Sequence, residues 1–289
     1  MIPASFDYTR PSSVEEAVSA LADAGDDAKV ITGGQSLLPL LRVRLAAPSV
    51  LVDCGRIEEM RGVSDEGSSL LVGAATTHHA VMTDPLVREH AALLAAATAT
   101  VADPQIRHRG TFGGSLAHAD PAGDLPAVAL ALECVLVVAG PRERREIPAA
   151  EFFVDYFTPA LEWDEVLVAV RVPKLDPSAG WGFHYEKFNR TAQSWAMVGV
   201  AAAVRRSNGS IAEARIGLTN MGPTPVRAAA VEAALAGATA SESAVGEAAA
   251  HAAEGTSPTS ELYAQADYRE HLARVLTKRA VLAAGGVTG

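Results

Sequence analysis

The run Arg109-Gly-Thr-Phe-Gly-Gly-Ser-Leu-Ala-His-Ala-Asp-Pro-Ala-Gly-Asp-Leu-Pro126 decides how the rest of the sequence is interpreted. It is rich in glycine, proline and aspartate and lacks the apolar period of a core helix or a half-buried strand, so it predicts a loop. Gly113 and Gly114 have no Cβ, which permits positive φ and lets their N–H groups approach a bulky anion such as phosphate. Asp124 offers a carboxylate that accepts hydrogen bonds from sugar-type hydroxyls. We therefore expect a ligand that carries both phosphate and a polyol.

Another Gly-Gly run, Ile31-Thr-Gly-Gly-Gln-Ser-Leu-Leu-Pro39, lies earlier in the chain and follows a short apolar segment that predicts a strand at 28–31. We call it the first run and 109–126 the second run. The backbone N–H groups and hydroxyls of the first run suit a pyrophosphate. Neither run spells Gly-x-Gly-x-x-Gly or Gly-x-x-x-x-Gly-Lys-Ser/Thr, so spacing argues against a Rossmann or P-loop site. One Gly-Gly pair is also typical of a tight turn. Two pairs, with hydroxyl residues beside each and Asp124 behind the second, favour a dinucleotide site.

Composition narrows the class of protein. The chain has 289 residues, 49% of them apolar, and a formal net charge of −10, which disfavours nucleic-acid binding. Cys54 and Cys134 are the only cysteines, so the sequence offers no disulfide framework and no four-thiolate iron–sulfur site. The amino terminus lacks a signal-peptide pattern, and no apolar run approaches the roughly 18 residues of a membrane span. We expect a cytoplasmic protein.

The first 175 residues predict two regions, 1–56 and 57–175. The first has a helix that begins at a Ser13-Val-Glu-Glu16 capping box and ends at Gly25, followed by strands at 28–31 and 50–53. The second is expected to form a mostly antiparallel sheet with flanking helices. Its predicted elements are strands at 70–74, 135–139, 145–147 and 165–172 and helices at 86–101 and 125–132.

A third region, 176–289, follows a segment rich in proline and glycine. It predicts a small domain of three strands and three helices, with Asn208-Gly209 as a type I′ turn between two of the strands. The strands are expected at 183–188, 196–205 and 211–219, and the helices at 226–235, 242–253 and 266–284. The last helix carries Leu272, Val275, Leu276 and Leu282 as an expected buried stripe.

Taken together, Thr32-Gly-Gly-Gln-Ser-Leu37, Arg109-Gly-Thr-x-Gly-Gly-Ser115 and Asp124 resemble the flavin loops of the FAD-binding subunits of molybdenum hydroxylases, the xanthine oxidase family. Within that family the carbon monoxide dehydrogenase type is the most similar. The resemblance implies an α+β fold. Two subdomains of the PCMH or vanillyl-alcohol-oxidase kind, 1–56 and 57–175, would bind FAD, and the small domain 176–289 would follow.

The resemblance also implies roles for thirteen residues. The first run would hold the pyrophosphate and adenosine side, the second run would form the other face, and Asp124 would bind a ribityl or ribose hydroxyl. An aliphatic side chain would lie against the isoalloxazine ring, and a lysine would reach toward the flavin. The residues are Thr32, Gly33, Gly34, Gln35, Ser36, Leu37, Thr111, Gly113, Gly114, Ser115, Asp124, Ile106 and Lys187. Ser115 and Ser194 depart from the family pattern, which has asparagine and aspartate there.

The implied function is electron transfer. A small partner subunit with [2Fe-2S] clusters would pass electrons through FAD to a quinone-type acceptor, while a large subunit with a molybdopterin cofactor oxidises the substrate, expected to be carbon monoxide. The assembly would be a dimer of heterotrimers, and this chain would supply no catalytic residue. The alternatives are a stand-alone FAD oxidase of the vanillyl-alcohol type, a hydroxylase subunit for an N-heterocycle or aldehyde, and a non-catalytic scaffold.

Several other residues carry simpler expectations. Trp195 favours a core position, and Tyr156 favours a core position with a bonded hydroxyl over contact with the flavin. His78 and His79 are adjacent and lack a third ligand at metal spacing, so we expect no metal there. His108 lies directly before the run 109–126, and His118 lies within it. Both are expected to hydrogen-bond cofactor or backbone.

Overall fold

A parallel sheet of three strands opens the chain. The computed structural model describes residues 2–287. The first elements are β1 (Asp7–Thr9), α1 (Val14–Ala24), β2 (Ala28–Ile31), α2 (Leu37–Arg42) and β3 (Val50–Asp53). The strand order is β1-β3-β2, with both outer strands parallel to β3. The predicted helix and both predicted strands are confirmed, whereas the short and polar β1 has no clear signal in the sequence.

An antiparallel sheet of five strands forms the second region. The antiparallel sheet and four of its strands were predicted, whereas the short β4 was not. Its strands are β4 (Val63–Asp65), β5 (Ser69–Gly73), β6 (Val135–Ala139), β7 (Arg144–Pro148) and β10 (Val166–Pro173). The order is β4-β5-β10-β6-β7, so β10 lies at the centre and is almost entirely buried. A small hairpin, β8 (Phe153–Asp155) and β9 (Thr158–Pro159), lies outside the sheet.

Short helices connect these strands. They are α3 (His78–Thr83), α4 (Pro85–His90), α5 (Ala92–Ala99), α6 (Pro104–Arg107), α7 (Phe112–Ala117), α8 (Asp124–Ala131) and α9 (Ala149–Phe152). The single helix predicted over 86–101 is wrong, because the chain breaks at Ala91 between α4 and α5. The carbonyl of His90 accepts a hydrogen bond from the Leu175 amide (3.2 Å), and the Leu94 amide bonds to Ala91 instead (2.8 Å). A tertiary contact therefore ends the helix where propensity favours its continuation.

The carboxy-terminal region is a four-stranded antiparallel sheet with three helices. The elements are β11 (Trp181–Phe188), β12 (Val198–Ser207), β13 (Ser210–Thr219), β14 (Val226–Arg227), α10 (Ala229–Leu235), α11 (Glu242–Ala249) and α12 (Ala266–Ala284). Positive φ at Asn208 and Gly209 confirms the predicted turn. The predicted count of three strands omits β14, which pairs with β13 and delays the first helix by three residues.

Helix α12 confirms its predicted bounds but only part of its predicted stripe. Leu272 and Leu276 are buried, whereas Val275 and Leu282 are only partly buried. Small side chains also lie on the buried face, and they let α12 approach the sheet closely. They are Ala273, Ala280 and Ala284.

Strand β12 joins the two hydrophobic cores. Ala201 and Ala203 pack into the core of the first two sheets, and Val200 and Ala202 pack into the core beneath the carboxy-terminal helices. Strand β13 also approaches α8 closely, since a Cβ on Gly217 would lie 2.2 Å from the Ala127 carbonyl oxygen. The carboxy-terminal sheet is thereby fixed over α8. Within residues 2–287, no helix is both long and apolar enough to span a bilayer.

Candidate cofactor site

The first Gly-Gly run, between β2 and α2, presents backbone N–H groups. Gly34 has a φ of 73°, in the left-handed region that favours glycine. The amides of Gly34, Gln35 and Ser36 donate no hydrogen bond to any residue that the structure describes. No side chain caps the start of α2. Consecutive unpaired amides of this kind form a binding site for an anion.

The second Gly-Gly run is largely helical, which corrects the predicted loop. Thr111 caps α7 by accepting a hydrogen bond from the Gly114 amide at 3.1 Å. The Gly113 amide donates to the Ala74 carbonyl (2.9 Å), and the Ser115 amide donates to the Thr111 carbonyl (3.1 Å). Neither glycine has positive φ. The expectation that Gly113 and Gly114 offer amides to a phosphate is therefore wrong.

Close packing explains the glycines of the second run. A Cβ on Gly113 would lie 2.3 Å from the Cβ of Ala74, and a Cβ on Gly114 would lie 2.6 Å from Thr111 Oγ1. Real Cβ atoms do not approach other atoms so closely, so a larger residue would displace α7 or the Thr111 side chain. The Ser115 hydroxyl also turns inward and donates to the Phe112 carbonyl (2.7 Å).

The two runs lie directly against each other. The hydroxyl oxygens of Thr32 and Thr111 are 2.8 Å apart, and a Cβ on Gly33 would lie 2.2 Å from the Arg109 carbonyl oxygen. Only one of the two threonine protons can lie in the bond between them. The other of the two threonine O–H groups is therefore available to an anion. The Gly114 amide does not use it, because that amide donates to Thr111 Oγ1.

A cavity of about 470 Å³ extends from this junction toward the carboxy-terminal sheet. All thirteen residues singled out from the sequence line it. They are Thr32, Gly33, Gly34, Gln35, Ser36, Leu37, Ile106, Thr111, Gly113, Gly114, Ser115, Asp124 and Lys187. Other lining residues outside that set include His78, His118, Asp120, Leu161 and Trp195. Of these, His118 and Asp120 lie within the run 109–126, and His118 is expected from the sequence to hydrogen-bond cofactor or backbone.

Asp124 has a different environment from the expected one. The Tyr185 hydroxyl donates to its Oδ1 at 2.6 Å, and the Lys187 ammonium donates to its Oδ2 at 2.7 Å. The side chains of Asp124 and Lys187 are only 4% and 7% exposed. The pKa of the Asp124 carboxyl is raised above its ordinary value, because the effect of burial exceeds the opposite effects of the Lys187 ammonium and the Tyr185 hydroxyl. The two charges neutralise each other, so Lys187 does not present an isolated positive charge to the cavity.

Two aromatic expectations are wrong. Trp195 is 56% exposed and lines the cavity instead of the core. Tyr156 is 43% exposed, not buried with a bonded hydroxyl. Both lie in connecting segments, where a large side chain need not be buried. Ser194, next to Trp195, bonds through its hydroxyl to that of Thr191 at 2.8 Å.

The histidines and cysteines provide no reactive centre. His79 stacks on His108 with 4.0 Å between ring centroids, whereas His78 is buried at the cavity wall. Within residues 2–287, no three His, Cys, Asp or Glu side chains are placed to hold a metal ion. Burial raises the pKa of the Cys54 thiol to about 12, so this thiol is not a nucleophile at neutral pH.

These features fit an extended dinucleotide such as FAD. The unpaired amides and the threonine O–H suit its diphosphate, and the volume lies in the range of cofactor pockets. Much of the remaining wall is apolar, as an aromatic ring requires.

Comparisons with known proteins agree with this fit. Residues 4–175 match the family model described as the FAD binding domain in molybdopterin dehydrogenase. Residues 183–284 match the model described as the CO dehydrogenase flavoprotein C-terminal domain. The two matches together include both Gly-Gly runs, Asp124 and Lys187.

Individual relatives extend over almost the whole chain. The carbon monoxide dehydrogenase medium chain of Hydrogenophaga pseudoflava is 41% identical over 284 residues, which is 98% of each chain. A subunit of the 6-hydroxypseudooxynicotine dehydrogenase complex of Paenarthrobacter nicotinovorans is 38% identical, over 96% of this chain and 94% of that one.

Solved structures show the same fold. A structure of carbon monoxide dehydrogenase from Hydrogenophaga pseudoflava superimposes with a TM-score of 0.96 and 44% identity over 99% of each chain. Quinoline 2-oxidoreductase from Pseudomonas putida 86 superimposes with a TM-score of 0.93 and 36% identity, again over 99% of each chain. These matches do not favour a stand-alone oxidase of the vanillyl-alcohol type. The chain belongs to the family of FAD-binding medium subunits of molybdenum hydroxylases.

Proposed function

We propose that this chain binds one FAD in the cavity between its two Gly-Gly runs and relays electrons inside a molybdenum hydroxylase complex. The observation that carries the proposal is the group of unpaired amides at Gly34, Gln35 and Ser36 beside the Thr32–Thr111 hydroxyl pair. When bound, FAD supplies the one- and two-electron chemistry that the protein side chains lack.

The chain's own residues would share the work of binding. Subdomain 1, residues 1–56, would hold the diphosphate and adenosine through Thr32 to Leu37. Subdomain 2, residues 57–175, would supply the wall of Thr111 to Ser115, with Ile106 against the isoalloxazine ring. The carboxy-terminal domain, residues 176–289, would place Lys187 in the cavity wall, paired with Asp124 of subdomain 2.

The visible spectrum of the purified chain tests this proposal. We expect a yellow protein, or a colourless one that regains a flavin spectrum with one equivalent of FAD. A colourless chain that takes up no FAD would favour the non-catalytic scaffold instead.

We further propose that the complex oxidises carbon monoxide, because two carbon monoxide dehydrogenase medium chains are 41% and 37% identical to this chain. A large molybdopterin subunit and a small subunit with [2Fe-2S] clusters would complete a dimer of heterotrimers in the cytoplasm, and a quinone-type compound would accept the electrons. A medium subunit of nicotine 6-hydroxylase and a subunit of caffeine dehydrogenase are also related to this chain, at 35% and 34% identity.

Co-purification tests the substrate and the assembly together. We expect two partner chains in equal amounts, the mass of a dimer of heterotrimers, and quinone reduction that depends on carbon monoxide. A complex that reduces a quinone with an N-heterocycle or an aldehyde, and not with carbon monoxide, would replace this substrate with the alternative one.

A further inference from the structure

His78 has an unsatisfied nitrogen at the cavity wall. It is the first residue of α3, its side chain lines the cavity, and it is only 4% exposed. Its Nδ1 has no hydrogen-bond partner among residues 2–287. Burying a polar atom without a partner costs about 1–3 kcal/mol, so the unpartnered Nδ1 bears on which of the two ring nitrogens carries the proton.

The imidazole is held against the second Gly-Gly run. The His78 amide donates to the Gly110 carbonyl at 2.8 Å. A Cβ on Gly110 would lie 2.9 Å from Cδ2 and 3.1 Å from Nε2 of the His78 ring. Because Gly110 has no side chain, the His78 ring has room beside it. Gly110 also lines the cavity, so Nε2 lies next to the cavity wall.

The ring is neutral at physiological pH, because burial and the nearby Arg107 lower the pKa of His78 to about 4. A neutral imidazole carries one N–H, on one nitrogen only. Buried N–H groups without a partner are rarer than buried acceptors without one. We therefore assign the proton to Nε2 and the bare lone pair to the unpartnered Nδ1.

We propose that His78 is a further cofactor-binding residue, whose Nε2–H donates a hydrogen bond to a carbonyl oxygen or ring nitrogen of the isoalloxazine. This inference rests on the proposed FAD site. The same Cβ position on Gly110 lies 3.2 Å from the Ile106 carbonyl oxygen, so His78 and Ile106 share one part of the wall. We place the isoalloxazine against that part of the wall. Its ring offers several hydrogen-bond acceptors, whereas the phosphates of FAD would lie at the first run.

Three variants of the full chain test the proposal. His78→Phe keeps an aromatic ring, larger by one atom, and removes both nitrogens, whereas His78→Gln keeps an N–H donor near the position of Nε2. His79→Phe is the matched control, because His79 stacks on His108 and does not line the cavity. For each variant, FAD affinity is measured by flavin fluorescence, ADP affinity by calorimetry, and the unfolding temperature on the apo chain.

We expect His78→Phe to weaken FAD binding about tenfold, the worth of one hydrogen bond of about 1.4 kcal/mol, without changing ADP affinity. Its apo chain should unfold at the same or a higher temperature, because an unpaired buried nitrogen has been removed. His78→Gln should bind FAD within about threefold of the wild type, and His79→Phe should match the wild type.

Other results would overturn the proposal in distinguishable ways. If His78→Phe and the wild type bind FAD equally, His78 has no contact with the flavin and the proposed function stands. Equal losses of FAD and ADP affinity, or a lower unfolding temperature of the apo chain, would show a purely structural role. A wild-type chain that binds no FAD would remove the proposed function together with this inference.

Discussion

The two Gly-Gly runs of this chain look alike in sequence but differ in what their glycines do. In the first run, Gly34 adopts positive φ and is followed by amides without partners. In the second run, Gly113 and Gly114 are helical, and their amides bond within the protein. One run presents the backbone to a ligand, and the other lets secondary-structure elements pack closely. The same dipeptide therefore meets two separate physical requirements.

Because of this difference, we expect substitutions in the two runs to affect different properties, stability in one case and ligand binding in the other. Changes around the second run should act first on the folded state, since its atoms are already in contact with protein. Changes in the first run should act first on FAD affinity, since its amide donors have no partner within the described part of the protein.

The largest effect is expected for Lys187→Met, on the side of the second run. The substitution leaves Asp124 buried without its cationic partner, which typically costs about 3–5 kcal/mol. Urea unfolding of the apo chain measures this loss. The double variant Asp124→Asn with Lys187→Met is the control and should recover part of the stability, because no uncompensated charge remains. A loss below about 1 kcal/mol in the single variant would mean that Asp124 is hydrated.

Acid should also lower the stability of the folded chain by protonating His78, whose amide is hydrogen-bonded to Gly110 of the second run. Its pKa of about 4 lies below the usual 6.5, so the folded state favours the neutral ring. The corresponding stability is complete above pH 6.5 and is lost as the pH falls toward 4, by about 3 kcal/mol in total. His118 and several carboxylates also titrate in acid, so the measured quantity is the difference between wild type and His78→Phe in urea unfolding at several pH values. Parallel profiles for the two proteins would argue against a buried neutral His78.

Gly113→Ala sharpens the comparison between the runs. The added Cβ would lie 2.3 Å from the Cβ and 2.6 Å from the Cα of Ala74, so α7 must shift. Such overpacking costs about 1–3 kcal/mol. We expect a matching fall in the unfolding free energy of the apo chain. An apo chain as stable as the wild type, with FAD binding lost, would place Gly113 with the donors of the first run.

The sequence predicted most of the fold because its signals are local. Three examples are the Ser13 N-cap of α1, the turn at Asn208-Gly209 and the helical spacing of apolar residues in α12. Each of these signals depends only on residues that are close in sequence. The break at Ala91 was missed, because it depends on a hydrogen bond between His90 and the distant Leu175. Strand β14 was missed, because its two residues are too few to show an alternating pattern.

The site divides in the same way. Its lining residues could be named from two motifs and a family resemblance. Their hydrogen bonds could not, because the partners of Asp124 lie on β11 and the partner of the Gly113 amide, Ala74, lies just after β5. Local composition also gives no sign of whether an aromatic residue such as Trp195 is buried or lines a cavity.

Gly34→Ala should have the smallest effect on stability. Its φ of 73° is unfavourable for alanine by about 1 kcal/mol. The added Cβ meets side-chain carbons and no backbone, namely Leu38 Cδ1 at 2.9 Å, Leu38 Cγ at 3.0 Å and Ile31 Cδ1 at 3.4 Å. FAD affinity should nevertheless fall about tenfold or more, since the amides that follow would turn away from the diphosphate. Thermal unfolding of the apo chain and FAD titration measure the two effects. A loss of stability as large as that of Gly113→Ala would break the contrast between the runs.

The most direct test is a titration of the apo chain with FAD and with riboflavin, which lacks the diphosphate, in the wild type and in Gly34→Ala. If the amides of the first run hold the diphosphate, the wild type binds one FAD per chain at least about 100-fold more tightly than riboflavin, and Gly34→Ala narrows that ratio. A wild type that does not prefer FAD, or a ratio unchanged by Gly34→Ala, would show that the first run does not bind the diphosphate.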